Sequence, residues 1–256
     1  MAIYAYCLLR LSGEETWPIL RGIGEHPVFP FRSGKYTMLS SRLPRNFSFT
    51  PRSIAEHGQV IARAFETHTV LPMRFGTFFN SEKQIEDLVR ENQRELLETF
   101  CRLRGKSEMR LKLCFPSVSS DDELSPRKAP QKARSWNNSS PNNGGNNGGM
   151  ELTDSRSQEL AVQLATWLRD LFHPLADQVS CRQLHSSEVV VDCAHLIESQ
   201  KVESYRKLCG FASERVKDCA IRMSGPWPPY HFLPASVRLP AVSVRPIKTR
   251  TAVAFR

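Results

Sequence analysis

The sequence predicts an α+β fold: two ferredoxin-like-type domains, antiparallel sheets with helices on one face, followed by an irregular C-terminal tail. Three observations carry this. From residue 108 to 223 the apolar spacing alternates between strand and helix periods in the order β-α-β-β-α-β, the ferredoxin-like order. Ahead of it, residues 2–103 hold a separate set of strand and helix patterns. Between Pro116 and Met150 the composition shifts to Ser, Asp, Pro and Lys, then to an Asn/Gly run, with little apolar surface to offset the entropy of ordering. The expected division is residues 1–106, an N-terminal α+β domain; 107–234, a C-terminal ferredoxin-like domain with a disordered insertion at about 117–150; and 235–256, a basic tail.

Ala2–Leu9 is apolar on both faces, which predicts a central strand covered on both sides. Val28–Leu43 reads as a hairpin turning near Ser33-Gly34. Thr50 and Pro51 supply an N-cap and a proline at the first helical position. Ile54, Gly58, Ile61, Ala62 and Phe65 then fall on one face of a helix ending near Thr67. Val70–Leu71 and Phe75–Phe79 are expected as short strands around the Pro72 kink. Ser81-Glu-Lys-Gln84 reads as a capping box opening a helix with the stripe Ile85, Leu88, Val89, Leu96, Leu97, Phe100 and Leu103. Arg102 and Arg104 suit its C-terminal end, and Gly105 stops it.

In the second half, Glu108–Phe115 alternates, with Met109, Leu111, Leu113 and Phe115 on one face. A helix carries Leu160, Leu164, Trp167, Leu168, Leu171 and Phe172 and stops before Pro174. Gln178–Leu184 and Glu188–Leu196 read as two strands. A further helix places Val202, Tyr205, Cys209, Ala212 and Val216 at spacings of three and four, and Cys219–Met223 is the last expected strand. After it, Ser224-Gly-Pro-Trp-Pro-Pro-Tyr-His-Phe232 carries three prolines, which forbid continued ladder bonding and stiffen the chain.

With 256 residues and 40% apolar content, the chain is long enough for two ordinary domains. Mean hydropathy is −0.38, and no stretch approaches the ~20 apolar residues that span a bilayer. The start lacks the basic and apolar regions of a secretion signal, so a cytosolic location is expected. Seven cysteines form no C-x-x-C pair and several lie in apolar segments; small buried hydrophobes in a reducing compartment account for them better than a disulfide framework. The net charge of +9 is local. Arg32, Lys35, Arg42, Arg45 and Arg52 lie in an acid-free run, as do Arg238, Arg245, Lys248, Arg250 and Arg256; the rest of the chain sums to −1. The two strips could attract an anionic partner.

Two words have compositions that chance rarely assembles: Val70-Leu-Pro-Met-Arg-Phe-Gly-Thr-Phe-Phe79 and Ser224–Phe232. In the first, Pro72 fixes φ, Gly76 allows a tight bend, and Arg74 offers five donors in a rigid fork. In the second, Trp227 and Tyr230 present large apolar faces at little entropic cost. Pro72, Arg74, Phe75, Gly76, Phe79, Trp227, Pro228, Pro229 and Tyr230 are therefore the candidate partner-binding or domain-junction residues. Together with Met1-Ala-Ile-Tyr-Ala-Tyr-Cys-Leu-Leu-Arg10 and Glu108–Phe115, in this order, the words resemble signature segments of the gas vesicle protein L/F family. These are accessory proteins that help build gas-filled protein shells in prokaryotes.

The resemblance runs from residue 1 to about Pro234. It implies two α+β domains of ferredoxin-like character, no catalytic chemistry and no cofactor. It also implies a place with the gas vesicle in the cytoplasm, off the membrane, with the small apolar shell subunit and other accessory gas vesicle proteins as partners. The chain departs from the family pattern in its basic stretch from Phe31 to Pro51, its Asn/Gly insertion and its long basic tail.

Signals for an enzyme are poor. Gly22-Ile-Gly24 lacks the third glycine of a dinucleotide fingerprint, there is no P-loop lysine motif, and G-x-S-x-G is missing. Ser204-Tyr-Arg-Lys207 matches S-x-x-K but falls on solvated positions of an amphipathic helix. The seven histidines form no H-x-x-x-H pair, so no zinc site is expected. The alternative is a nucleic-acid-binding ferredoxin-like module using the basic strips. Arg74-Phe75-Gly76-Thr77-Phe78-Phe79 alternates like an RNA-recognition strand but lacks its first glycine, and nucleic acid is the less expected partner.

Overall fold

The computed structural model describes residues 1–11, 17–18, 20–114, 150–183, 189–216 and 219–234, with the side chains of 150–158, 161, 182–183 and 189–190 outside that set. The expected Asn/Gly insertion, Phe115 and the basic tail lie outside the described residues.

The first sheet is built around β1 (Ala2–Leu9). Its hairpin partner pair is β3 (Pro27–Ser33) and β4 (Tyr36–Leu43), turning at Gly34 with φ +59, and β2 (Leu20–Arg21) extends that side. On the other edge of β1 lie β5 (Val70–Pro72) and β6 (Phe78–Phe79), giving the order β2-β3-β4-β1-β5 with β6 also on β1. All these pairings are antiparallel. A register shift between Ala5 and Cys7 puts Tyr6 and Cys7 on the same side. Both faces of β1 are buried, as its apolar run requires: Tyr4, Tyr6, Cys7 and Leu9 on one, Ile3, Ala5 and Leu8 on the other.

Helix α1 (Pro51–Phe65) covers the tyrosine face. Its buried side is Ser53, His57, Val60, Ile61 and Ala64, while Ile54 is 50% exposed, so the helix is rotated from the expected face. The reason is that two polar residues are satisfied inside. Ser53 Oγ accepts the Thr50 N–H at 3.1 Å, and His57 is hydrogen-bonded through both ring nitrogens. Apolar periodicity alone cannot see such residues as core.

The expected long helix after Ser81 divides into α2 (Glu82–Glu91) and α3 (Gln93–Leu103). At the junction, buried Asn92 donates its side-chain amide to the Leu88 carbonyl at 2.7 Å, a local bond that competes with the helix ladder. The cap also differs. Gln84 reaches back to the Asn80 N–H at 2.7 Å, and Ser81 makes no side-chain cap. The stripe is otherwise buried except Leu97, which is exposed.

The second sheet contains β7 (Lys106–Cys114), β8 (Ala176–Gln183), β9 (Val189–Glu198) and β10 (Ala220–Trp227), ordered β10-β7-β9-β8, all antiparallel. Numbered within this unit the order is 4-1-3-2, with α4 (Met150–Phe172) and α5 (Val202–Arg215) as the two crossovers. This is the predicted β-α-β-β-α-β arrangement. Met109, Leu111, Leu113, Val191, Cys193 and Ile197 face the helices. The opposite face contributes Ala194 and Leu196 to a cluster shared with α2, α3 and the Ile3/Ala5/Leu8 face of the first sheet. The α+β class holds. The first sheet, in addition, has helices on both faces, because α2 and α3 serve as a layer common to the two sheets.

Two further expectations are corrected. The last strand does not end at Met223: it continues to Trp227, where a register shift between Ser224 and Trp227 carries the chain past its prolines and Trp227 pairs Glu108. The Gly225–Pro226 peptide in this bulge is cis. Cys181 and Cys193 stand directly opposite on β8 and β9, with Cα atoms 4.0 Å apart, and are joined as a disulfide. Cysteine spacing in the sequence cannot show a cross-strand pair of this kind.

Candidate partner-binding site

The first word lies along one edge of β1. β5 pairs Cys7–Leu9 and β6 pairs Ile3–Tyr4, so Met73–Thr77 forms a turn displaced from the ladder between them. Its ends stay tied to β1, with Met73 N–H donating to Tyr6 O at 2.8 Å and Ala5 N–H to Thr77 O at 3.0 Å. Gly76 takes φ +86, and the Thr77 N–H and hydroxyl both donate to the Arg74 carbonyl, the hydroxyl at 2.7 Å.

A buried polar pair holds this turn from beneath. Tyr4 donates its hydroxyl to His57 Nδ1 at 2.8 Å and accepts the Gly76 N–H at 3.3 Å. His57 Nε2–H donates to the Met73 carbonyl at 3.1 Å. Burial pushes the imidazole down to about 4, so it is neutral with the proton on Nε2, against a smaller opposing effect of the Met73 carbonyl. Burial pushes the Tyr4 phenol up, so it remains a donor. The result is a rigid turn from which Arg74 extends. Its side chain is exposed and makes no hydrogen bond or ion pair to a described residue. Phe75 and Phe78 are half-buried against Tyr4 and Phe49, while Pro72, Gly76 and Phe79 are buried.

The second word is fixed just as firmly. Only glycine fits at position 225: its φ is +119, and a Cβ would lie 2.8 Å from the Glu108 carbonyl oxygen. Glu108, 2% exposed, accepts the His231 N–H at 2.8 Å and meets His231 Nδ1 at 2.6 Å. From α3, Arg102 donates to the Phe232 carbonyl and to Gln178, each at 2.7 Å. Phe232 and the adjoining Leu233 sink into the cluster that contains Leu71, Met73 and Phe79, so both words meet in one core. Pro228 and Pro229 are buried. Trp227 and Tyr230 keep 44% and 40% of their surface exposed. Burial of its hydroxyl end, with Cys7 and Glu108 nearby, holds the Tyr230 phenol up to about 12.

Trp227 stands over a groove of about 540 Å³ shared with Phe65, Thr67, His68, Lys106 and Pro228. The groove lies where the end of α1 and the start of β5 approach the start of β7 and the end of β10. Five of the nine sequence-predicted residues thus form the scaffold, and Arg74, Phe75, Trp227 and Tyr230 present surface. Sequence reasoning missed Tyr4, His57, Arg102 and Glu108, the residues that set the two words in place. Arg102 and Glu108 were visible only as the end of a helix and the start of a strand, and His57 lay off the expected apolar face of α1.

The first basic strip is partly neutralised. Arg42 pairs with Glu82 at 2.7 Å, and Arg52 pairs with Glu25 at 3.3 Å and Glu56 at 2.9 Å. The second strip lies outside the described residues. Among the described residues no cluster of three or more His, Cys, Asp or Glu has a metal-holding arrangement, and no helix is long and apolar enough to cross a membrane.

An α+β protein of two antiparallel sheets joined through a shared helical layer is therefore the class, and solved structures share its fold. The crystal structure of the gas vesicle protein GvpF from Anabaena sp. PCC7120 has a TM-score of 0.71 at 19% identity, covering 92% of this chain and 99% of that one. GvpF from Microcystis aeruginosa gives 0.68 at 18%, covering 91% and 99%. In sequence, Gas vesicle protein L1 of Halobacterium salinarum is 22% identical over 253 residues, 90% of each chain. Gas vesicle protein F1 of that organism is 20% identical over 187 residues, 72% of this chain and 70% of its own. Residues 2–234 match the family described as gas vesicle synthesis protein GvpL/GvpF, and the chain belongs to that family.

Proposed function

We propose that this chain is a non-catalytic accessory protein of gas vesicle assembly that binds the small apolar shell subunit or other accessory gas vesicle proteins. Its place would be with the gas vesicle. Family membership across residues 2–234 carries the gas vesicle role. The presentation of Arg74, Trp227 and Tyr230 on two turns fixed by buried hydrogen bonds supports the binding reading. Rigid aromatic side chains lose little entropy when a partner covers them, and an exposed guanidinium is ready to meet a carboxylate. The units proposed to fold around the two sheets are residues 1–106 and 107–234.

The test is a pull-down of tagged full chain co-expressed with the major gas vesicle shell subunit and the other accessory gas vesicle proteins, at low and moderate salt. Retention at both salts is expected, because a mainly apolar contact is little screened. Absence of shell subunit and of every other gas vesicle protein from the eluate overturns the reading.

A further inference from the structure

A second, smaller cleft opens beside the Arg74 turn. Its volume is about 140 Å³ and its walls include Pro44, Phe47, Phe49 and Phe78, with Arg45 in the lining. The rings are braced against one another, with centroids 5.5 Å apart for Phe47 and Phe49 and 5.9 Å for Phe49 and Phe78. Phe75 packs on Phe49 at 4.9 Å, which ties the wall to the turn that bears Arg74. Pro44–Phe47 is itself a closed turn, the Phe47 N–H donating to the Pro44 carbonyl at 3.0 Å. Arg45 and Arg74 are both exposed and unpaired among the described residues, whereas Arg42 and Arg52 of the same basic run already hold acids.

We propose that this cleft is a docking site for a protein segment in which one large apolar side chain stands beside carboxylates. The apolar group enters between Phe47, Phe49 and Phe78, and the acids meet Arg45 and Arg74. Three features select this occupant. The volume admits one leucine- or phenylalanine-sized group, well below the ~300 Å³ at which small-molecule pockets begin. Its apolar side is a pre-packed set of rings, Phe47 and Phe78 over the buried Phe49, the form that anchors in protein interfaces use, and Asn80 and Arg45 supply a polar rim. The two unpaired charges are guanidiniums, whose fork matches a carboxylate, and two cations are too few for the phosphate neutralisation that drives nucleic-acid binding. The site shares Arg74 with the surface proposed above and adds to it a pocket on the far side of that turn from Trp227's groove, whose lining has no residue in common with that groove.

The experiment titrates the full chain into a fluorescein-labelled Gly-Glu-Glu-Leu-Glu-Glu-Gly peptide, and into the same peptide with Gln for Glu, at low salt with anisotropy as readout. The acidic peptide is expected to bind about tenfold more tightly than the neutral one. It should lose about tenfold in the Arg45→Glu, Arg74→Glu double variant, whose exposed positions leave the core untouched. Phe47→Ala should weaken both peptides. No binding of the acidic peptide to folded protein at millimolar concentration overturns the proposal. So does equal affinity for the two peptides, or affinity unchanged in the arginine variant. Tighter binding of a single-stranded oligothymidylate, lost in the same variant, assigns the cleft to nucleic acid instead. Self-association in sedimentation that the variant abolishes assigns it to a second copy of the chain; either outcome overturns the proposal.

Discussion

Acidification from pH 7.5 to 5 should destabilise this protein well before its carboxylates titrate, because two histidines are buried neutral. His57 lies under the Arg74 turn, and His195, fully buried between Phe172 and Tyr205, accepts the Tyr205 hydroxyl at Nδ1. No described residue partners His195 Nε2. Burial lowers both imidazoles to about 4, against about 6.5 in the unfolded chain. The unfolded state therefore binds more protons between these values, and stability falls as pH drops through that window. Each histidine loses about 2 kcal/mol by pH 5, so the pair loses about 4 kcal/mol. Burial raises the Asp192 carboxyl, but the bond to Arg110 and the charges of Arg110, Lys112 and His231 together hold it below its usual value, so it acts at lower pH and does not blur the window. The assay is urea unfolding followed by circular dichroism at pH 7.5 and 5. His57→Gln retains an amide donor for Met73 and an acceptor for Tyr4 but cannot titrate. It should remove about 2 kcal/mol of the pH-dependent loss. An unchanged pH dependence in His57→Gln would refute the claim that His57 is neutral in the native state.

Gly225→Ala should destabilise by at least about 2 kcal/mol, since the methyl group meets the Glu108 carbonyl and the backbone is left-handed; a thermal melt checks it, and an unchanged midpoint contradicts the bulge geometry. The Cys181–Cys193 bond spans 12 residues, so reductant should cost about 3 kcal/mol by loop closure, measured by urea unfolding with and without it. Non-reducing peptide mapping should recover the two cysteines on one linked fragment. Arg74→Ala with Trp227→Ala should lower gas vesicle yield while the circular dichroism spectrum and melting midpoint stay close to wild type; full yield from the double variant removes these residues from the partner surface.

The Ala2–Leu9 strand, the Val28–Leu43 hairpin and the β-α-β-β-α-β order were legible because each rests on local periodicity or on a turn residue with a conformational preference. The two words were legible by composition, and four quoted segments in order pointed to the family. The face of α1 was not legible, since Ser53 and His57 become core residues only when hydrogen-bond partners from distant segments reach them. Nor was the break at Asn92, where a side-chain bond to Leu88 outweighs a stripe that reads as continuous. The continuation of the last strand to Trp227 depends on a glycine bulge fitted against Glu108, a contact across more than a hundred residues.

By itself the sequence determined where most strands and helices lie, though not the break at Asn92 or the end of the last strand, because burial of apolar faces at periods of two and 3.6 acts within each segment. It also determined where the unusual aromatic and proline residues cluster. Tertiary structure alone decided that α2 and α3 serve both sheets, and that the two words meet in one core around Met73, Phe79 and Phe232. It also decided that Arg74, Trp227 and Tyr230 remain exposed while Pro72, Phe79, Pro228 and Pro229 do not. The physical reason is that exposure and hydrogen-bond satisfaction depend on neighbours brought from elsewhere in the chain. Glu108 and His231, or Tyr4 and His57, acquire their roles only once packing places them within about 3 Å of each other.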